Sequence, residues 1–599
     1  MRFAMMDSGF RPESPSGQWV RRLARWLELR AIGLTPEHLD MSDGLRSALI
    51  VGGPLLLVAA GHPEFGWAIF AAFWTCLADS GGTQAFRRRL LLSFAVLGSI
   101  TAFFGSWLAG YGPVAGVAVG AFLVAINALL PLGSSISPLA AALLGVVGVV
   151  AAGYPHAAAD ALPLAGSFLI GSAWAVLVLT LLWRTDPWSP VRRSVAAVHA
   201  RLADMAADLA APQGHPSVGG PIWTFKSSQH RRAVRNSLER AKAHLARTSG
   251  PDDGAITAPL QAAILAADDV FHALLALDHL RSRDRQADIS RLLTGAIRPC
   301  LLLAARDLAK GESRKAEIEA SLAVIDRSIA GRRDAVAGAA RRIAAALRWS
   351  ENPAALDVST YAAQALPART ILQGAVRSAV GVTFVTVAAH LFGLTYPYWA
   401  AMAVIVVLQP DRRMSWSRAL ERIVGSVAGS TLALAVLAVV GSPWLITAIV
   451  IPLSALTIAL RSVSYTLFVT AVTLLFVLAM DMLHPGAGIA SARMLDNVIG
   501  CLAAMLVTFA IWPERSPSIS DLAVRAVEAN RHYLAAVERG DEAEIAVARR
   551  AAGLASTQAE VAFHAPDRYL GKRPSPTDVE ALAKARRLAG EAAVLWHSR

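Results

Sequence analysis

The candidate functional residues of this sequence are charged side chains inside apolar stretches. Placing such a charge within a membrane costs free energy unless it is paired or hydrated, so its presence there indicates a function. The sharpest set is Arg493, Asp496 and Asn497, at the start of an apolar run. Arg493 and Asp496 are three residues apart, so on a helix they share a face and could pair. The guanidinium could contact an anion whose binding the carboxylate modulates, or the pair could anchor the helix. The spacing leaves both interpretations open.

Three more residues are predicted to contact an anion. Trp399 belongs to an aromatic cluster at the edge of an apolar run, Gln409 follows that run, and Arg422 lies beyond the charged loop that comes next. Aromatic residues at one edge and arginines at the other are typical of a membrane crossing. Every Lys or Arg position in 45–183 and 370–512 is arginine, and guanidinium groups bind carboxylates bidentately. For Gln409, solvation of a helix end is the alternative explanation.

Three protonatable residues are candidates for coupling proton movement to transport. Asp79 ends the second apolar segment, and Asp481 and His484 lie near the loop before the last one. Carboxylates and histidines at such positions form proton relays in membrane proteins. A solvated helix end explains Asp79 equally simply, and a loop end beside Pro485 explains the other two.

The sequence contains no catalytic or metal-binding pattern. It lacks the phosphate-binding GxxxxGK[ST] motif, the HExxH motif and a serine-nucleophile elbow. Its three cysteines, Cys76, Cys300 and Cys501, have no metal-ligand spacing. We therefore expect no enzyme activity, no metal, no cofactor and no ATP-driven pump within this chain.

Composition indicates a polytopic membrane protein. The 599 residues are 55% hydrophobic and only 17% charged, with a formal net charge of +13. Much of the positive charge lies beside apolar spans, which fits the positive-inside rule better than a nucleic-acid groove. Nucleic acid is therefore not an expected partner, whereas the lipid bilayer is.

Hydrophobic periodicity predicts an all-α fold with about six transmembrane helices in each of two membrane halves. The arginines at 87–89 place the loop between the second and third spans, and with it the N-terminus, in the cytoplasm. The predicted order is a cytoplasmic N-terminal segment with an amphipathic helix at Trp19–Leu29 (1–44), a first membrane half (45–185), a helical cytoplasmic domain (186–368), a second membrane half (369–513) and a C-terminal helical cytoplasmic region (514–599).

The two membrane halves share landmarks at a nearly constant offset. Arg46 and Arg377 precede the first spans, Trp67 and Trp399 open the second spans, and tryptophans at 183 and 512 close the sixth. Six spans per half would give both copies the same orientation. A parallel repeat places a pseudo-twofold axis along the membrane normal, and we expect the transport path near the interface between the copies.

The second half also resembles a known family. The motif residues are Tyr398-Trp399, Leu408-Gln409-Pro410, Arg418, Arg422, Gly425 and Gly429, followed by Arg493, Asp496 and Gly500. The order of these residues resembles the fusaric-acid-resistance-like family, which includes bacterial aromatic-acid exporters and is distantly similar to plant aluminium-activated malate transporters. The chain departs from the family at Ser426, where threonine is usual. The resemblance covers about residues 370–512.

The resemblance implies a bacterial inner-membrane transporter that exports small organic carboxylates, aromatic ones among them. Proton coupling follows by elimination, since no nucleotide motif is visible. A passive organic-anion channel is one alternative, and a membrane-anchored scaffold that transports nothing is another. A periplasmic adaptor protein and a second copy of the chain are the further partners that such a transporter could have.

Overall fold

A computed structural model of the chain describes residues 40–134, 136–183, 186–210, 221–249, 254–283, 289, 292–310, 315–348, 367–408, 412–511, 517–563 and 575–598. These residues form 21 α-helices and no strand. The predicted all-α polytopic membrane fold is therefore confirmed. The amphipathic helix predicted at 19–29 lies outside the described residues.

The chain divides into two compact units. The described residues of the membrane unit lie within Met1–Asp79, Leu90–Trp183 and Ala368–Trp512. The described residues of the helical unit lie within Ser80–Arg89, Arg184–Pro367 and Pro513–Arg599. The helices of the membrane half nearer the N-terminus are α1 (Met41–Ala59), α2 (Gly66–Ala78), α3 (Gln84–Ala109), α4 (Pro113–Leu129), α5 (Pro138–Ala152) and α6 (Ala158–Leu177).

The helical unit and the second membrane half follow in chain order. The central helices are α7 (Ser189–Leu209), α8 (Pro221–Thr248), α9 (Gly254–Arg283), α10 (Arg298–Lys310), α11 (Lys315–Ser328) and α12 (Ala335–Leu347). The second half contains α13 (Ala368–Leu391), α14 (Pro397–Val407), α15 (Arg412–Leu437), α16 (Pro443–Leu460), α17 (Tyr465–Leu483) and α18 (Ile489–Ala510). The C-terminal helices are α19 (Ile519–Arg539), α20 (Glu542–Phe563) and α21 (Pro576–Ser598).

Ten helices among the described residues are long and apolar enough to cross a membrane. Nine belong to the membrane unit; the tenth, Ile256–Arg281, belongs to α9 and lies in the apolar core of the helical unit. Helices α2, α5 and α14 have only 13, 15 and 11 residues. At 1.5 Å per residue they reach roughly 17 to 23 Å, short of a hydrocarbon core of about 30 Å. Their side chains are mostly buried by neighbouring helices.

Glycines let the short helices contact their neighbours backbone to backbone. A Cβ on Gly171 of α6 would lie 2.3 Å from the carbonyl oxygen of Ala68 in α2, and one on Gly500 of α18 would lie 2.3 Å from that of Ala400 in α14. Small residues allow this close packing inside a bilayer, where apolar burial alone does not favour association of helices. The second and sixth helices of each half are therefore joined at the backbone.

The two halves pack together through corresponding helices. Helix α1 packs on α16, and α13 packs on α4, so the first helix of each half contacts the fourth helix of the other. Helix α14 also packs on α5. A parallel repeat would produce reciprocal contacts of this kind, and the repeat itself stays a prediction.

The helical unit joins its central helices to the C-terminal ones through buried charges. The Arg549 guanidinium of α20 lies 3.0 Å from the Asp268 carboxylate and 2.8 Å from that of Asp269, both in α9. Burial raises the pKa of Asp268, but Arg549 and further nearby basic residues outweigh it and hold that pKa below its usual range. Burial also lowers the pKa of His272 well below its ordinary value. The C-terminal helices α20 and α21 pack on α8, α9 and α12.

We expect both termini and residues 186–365 to be cytoplasmic, because the basic stretches at 87–89 and 412–422 follow the positive-inside rule. Reporter fusions after Arg193 and after Glu514 should be active only with a cytoplasmic reporter. A fusion at either position that is active with a periplasmic reporter would contradict this topology.

Gly171→Ala should destabilise the membrane unit by about 1–3 kcal/mol, because the added methyl group collides with the α2 backbone and overpacks the interface. Gly166→Ala is the matched control in the same helix, since a Cβ there meets nothing within 4 Å. Thermal unfolding of the purified protein in detergent measures both variants. Equal stability of the two variants would show that the helices separate freely at Gly171.

The helical unit should lose stability as the pH falls from about 6.5 to about 4. Burial first, and then nearby arginines, lower the pKa of His597 to about 4, whereas an unfolded histidine titrates near 6.5. Within that window the unfolded chain binds a proton that the folded chain does not. His597→Gln should reduce the loss by on the order of 3 kcal/mol. Unfolding of the full chain at pH 7.5 and 4.5 measures this, and an unchanged pH slope would refute it.

Candidate functional site

The membrane unit contains an open cavity of about 620 Å³ between its two halves. Its walls are mainly apolar and aromatic, and they come from α2, α5, α6, α14 and α17 together with the loops that follow α1, α5 and α17. The aromatic residues that line the cavity are Phe65, Trp67, Phe70, Trp74, Tyr154, Tyr398, Trp399 and Phe476. The cavity therefore lies at the interface where the repeat predicts a transport path.

A continuous row of aromatic rings, here called the aromatic wall, runs from one half to the other. Its members are Trp67, Tyr154, Tyr398 and Trp399, with successive ring centroids 5.7, 5.4 and 5.1 Å apart. The hydroxyls of Tyr154 and Tyr398 share a hydrogen bond of 2.8 Å. Rings at these distances attract one another through their quadrupoles. The wall thus joins the two halves beside the cavity.

Arg493 lies directly behind this wall. It is in the second turn of α18, only 2% exposed, and its guanidinium carbon is 3.6 Å from the ring centroid of Trp399. The same carbon is 5.7 Å from the ring of Phe476. Trp399 and Phe476 line the cavity, so a cation–π contact separates the cavity from the buried charge.

Several polar atoms of this cluster lack a hydrogen-bond partner in the described part of the chain. They are Arg493 Nε and Nη1, Trp399 Nε1 and Asp496 Oδ2. No ion pair joins Arg493 to Asp496, although the two residues share a turn of α18, and Asp496 is only 1% exposed. Leaving such groups unsatisfied in a low-dielectric interior is costly. These atoms therefore have hydrogen-bonding capacity that the described protein groups do not use.

Asn497 connects Arg493 to a second buried arginine. Arg422 of α15, 6% exposed, donates from Nε to Asn497 Oδ1 at 3.2 Å. Asn497 in turn donates from Nδ2 to the Arg493 carbonyl oxygen at 2.8 Å. The structure thus brings Arg493, Asp496, Asn497, Trp399 and Arg422 together. Gln409 lies outside the described residues.

The three candidates for proton coupling do not form one group. Asp79 follows the C-terminal end of α2, where its carboxylate lies 3.9 Å from the Arg46 guanidinium. His484 lines the cavity, and Asp481 is half-buried one turn earlier. No ion pair within 4 Å joins Asp481 to His484. His484 is the one of the three that faces the cavity.

Sequence reasoning missed the contribution of the first half to the cavity. Tyr154 and His156 come from a loop without any motif, and Phe476 lies within an unbroken apolar run. Trp67 appeared only as a landmark of the repeat, yet it begins the aromatic wall. The constant offset between Trp67 and Trp399 was the available signal, since the predicted repeat would place both residues at the interface, and both line the cavity.

Comparison with known proteins supports the resemblance in the second half. Residues 383–507 match the family described as fusaric acid resistance protein-like. The inner membrane protein YccS of Escherichia coli (strain K12) is 28% identical over 172 residues, which are 28% of this chain and 24% of that protein. The match thus spans about a quarter of the relative's length. No solved structure matches the chain. The second half of the chain is therefore similar to fusaric acid resistance protein-like proteins, and ten described helices are long and apolar enough to cross a membrane.

Proposed function

We propose that the protein exports small organic carboxylates, aromatic ones among them, across the inner membrane. One observation carries the proposal: a fully buried arginine with two unpartnered nitrogens is stacked on a tryptophan that lines an aromatic cavity. An ionisable residue within a membrane marks a substrate pathway by default. The matched family supports transport as the activity class.

The guanidinium geometry suits a carboxylate. Stacking on Trp399 occupies the face of the guanidinium plane, whereas its N–H groups lie within that plane. Carboxylates accept hydrogen bonds in the plane, so an anion can bind Arg493 while the stacking contact persists. The unpartnered Trp399 Nε1 supplies a further donor beside it. These donors favour a carboxylate head group.

The cavity suits the rest of such a molecule. Its volume of about 620 Å³ is within the usual range for small-molecule sites. The aromatic side chains that line it offer ring faces and edges to a planar substrate. Because the Trp399 ring lies between the cavity and Arg493, a substrate whose body occupies the cavity would bring its carboxylate to Arg493 by displacing the edge of that ring.

Proton coupling and the partners are further parts of the proposal. His484 in the cavity lining, with Asp481 and Asp79, could exchange protons during transport. A periplasmic adaptor could receive the exported anion, and a second copy of the chain could complete the assembly. Flux that follows the proton gradient at clamped voltage would distinguish this transporter from a passive anion channel.

Arg493 variants test the site. Arg493→Lys should fold but transport about 10- to 100-fold more slowly, because an ammonium cannot reproduce the planar, charge-assisted contacts. Arg493→Ala should abolish transport, and Asp496→Asn should alter affinity or pH dependence. Efflux of 4-hydroxybenzoate from proteoliposomes, normalised to folded protein and corrected for protein-free liposomes, measures these effects.

Arg369→Ala is the matched control, because Arg369 is an exposed cation at the start of α13. It should transport like the wild type. Wild-type flux from well-folded Arg493→Ala protein would eliminate the anion-binding role. If the wild-type protein moves none of a panel of organic anions, the scaffold alternative is favoured instead.

A further inference from the structure

The cluster around Asn497 has an unequal number of positive and negative charges. Among the described residues it contains two guanidinium groups, Arg422 and Arg493, and one carboxylate, Asp496. All three are at least 94% buried. Arginine remains protonated in proteins. When Asp496 is ionised, it balances one of the two cations and leaves one positive charge over.

Other charged groups on the packed helices do not correct this imbalance. Helices α13, α14, α15 and α17 all pack on α18. Arg377 of α13 donates to the Ile511 carbonyl oxygen at the far end of α18. Asp481 lies near the end of α17 and is half-buried. The Tyr398 hydroxyl of α14 shares a hydrogen bond with the Tyr154 hydroxyl. On α15, Glu421 directly precedes Arg422, so the two side chains point about 100° apart around the helix, and no ion pair within 4 Å joins them. The Arg418 guanidinium lies over the Tyr465 ring.

From this charge count we infer that Asp496 restricts the proposed site to ligands with a single negative charge. The inference rests on the proposed carboxylate transport and specifies its substrate class. One monoanion at Arg493 brings the buried cluster to neutrality. A dianion leaves an excess negative charge in a low-dielectric region, where an unbalanced charge is costly.

The cavity offers no place for a second carboxylate. Neither lysine nor arginine lines it in the described part of the membrane unit. Its ionisable lining residues besides tyrosines are Glu64, His156 and His484. Glu64 is exposed and lies 3.0 Å from His62, and His156 Nδ1 contacts Ser106 Oγ and the Tyr154 carbonyl oxygen. A negative group at the far end of a ligand would thus meet an aromatic lining without a fixed cation.

The test compares terephthalate with its monomethyl ester, which has nearly the same shape but one carboxylate. Both carboxyl groups of terephthalate are ionised at pH 7.5. Titration calorimetry with the full chain in lipid nanodiscs measures the two dissociation constants. The wild-type protein should bind the monoester at least 10-fold more tightly. Asp496→Asn removes one negative charge and should reduce that preference at least 10-fold, mainly through tighter binding of terephthalate.

Controls distinguish a failure of the charge-selectivity inference from a failure of the proposed carboxylate transport. Asp160→Asn, which neutralises an exposed carboxylate at the start of α6, should keep the wild-type preference. Equal wild-type affinity for both ligands overturns the inference without any variant, and so does an unchanged preference in folded Asp496→Asn protein. If the wild-type protein binds neither ligand, or Arg493→Ala binds both as the wild type does, the carboxylate site itself fails.

Discussion

A guanidinium group buried within an apolar membrane unit is the constraint on which the rest of this structure depends. Arg493 has almost no contact with solvent, and hydrocarbon alone cannot hold such a charge. The electron-rich face of Trp399 lies directly against it, whereas Asp496 forms no ion pair with it within 4 Å. The stacking contact lowers the cost of the charge while leaving its hydrogen-bonding edge available. The cavity, the aromatic wall and the second arginine all lie around this contact.

The all-α membrane fold could be predicted from the sequence because apolar length and basic loops are local properties. The second helix of the first half, α2, has only 13 residues. Its shielding by protein could not be derived in advance, because it depends on contacts such as Gly171 with Ala68, which are about 100 residues apart. Hydropathy alone cannot distinguish a buried core helix from a span either, as α9 in the helical unit shows.

The candidate site was predictable in its members but not in its geometry. Arg493, Asp496 and Arg422 were conspicuous because charges are rare in apolar runs. The helical spacing suggested that Arg493 could pair with Asp496, yet its guanidinium contacts a ring from another helix instead. Local spacing identifies which side chains share a helix face, whereas the packing of α14 on α18 decides what that face meets. Tyr154 carried no signal, since its role depends on a hydrogen bond to the opposite half.

The glycine contacts of the membrane unit also limit how it can move. Ala400 of α14 meets the backbone of α18 at Gly500, with no space for even a methyl group between them. Two helices in such contact cannot slide past each other without separating. We therefore expect the α14 and α18 backbones to move together at this point. A movement of one half against the other would then act on the hydrogen bond between the Tyr154 and Tyr398 hydroxyls, which joins the two halves.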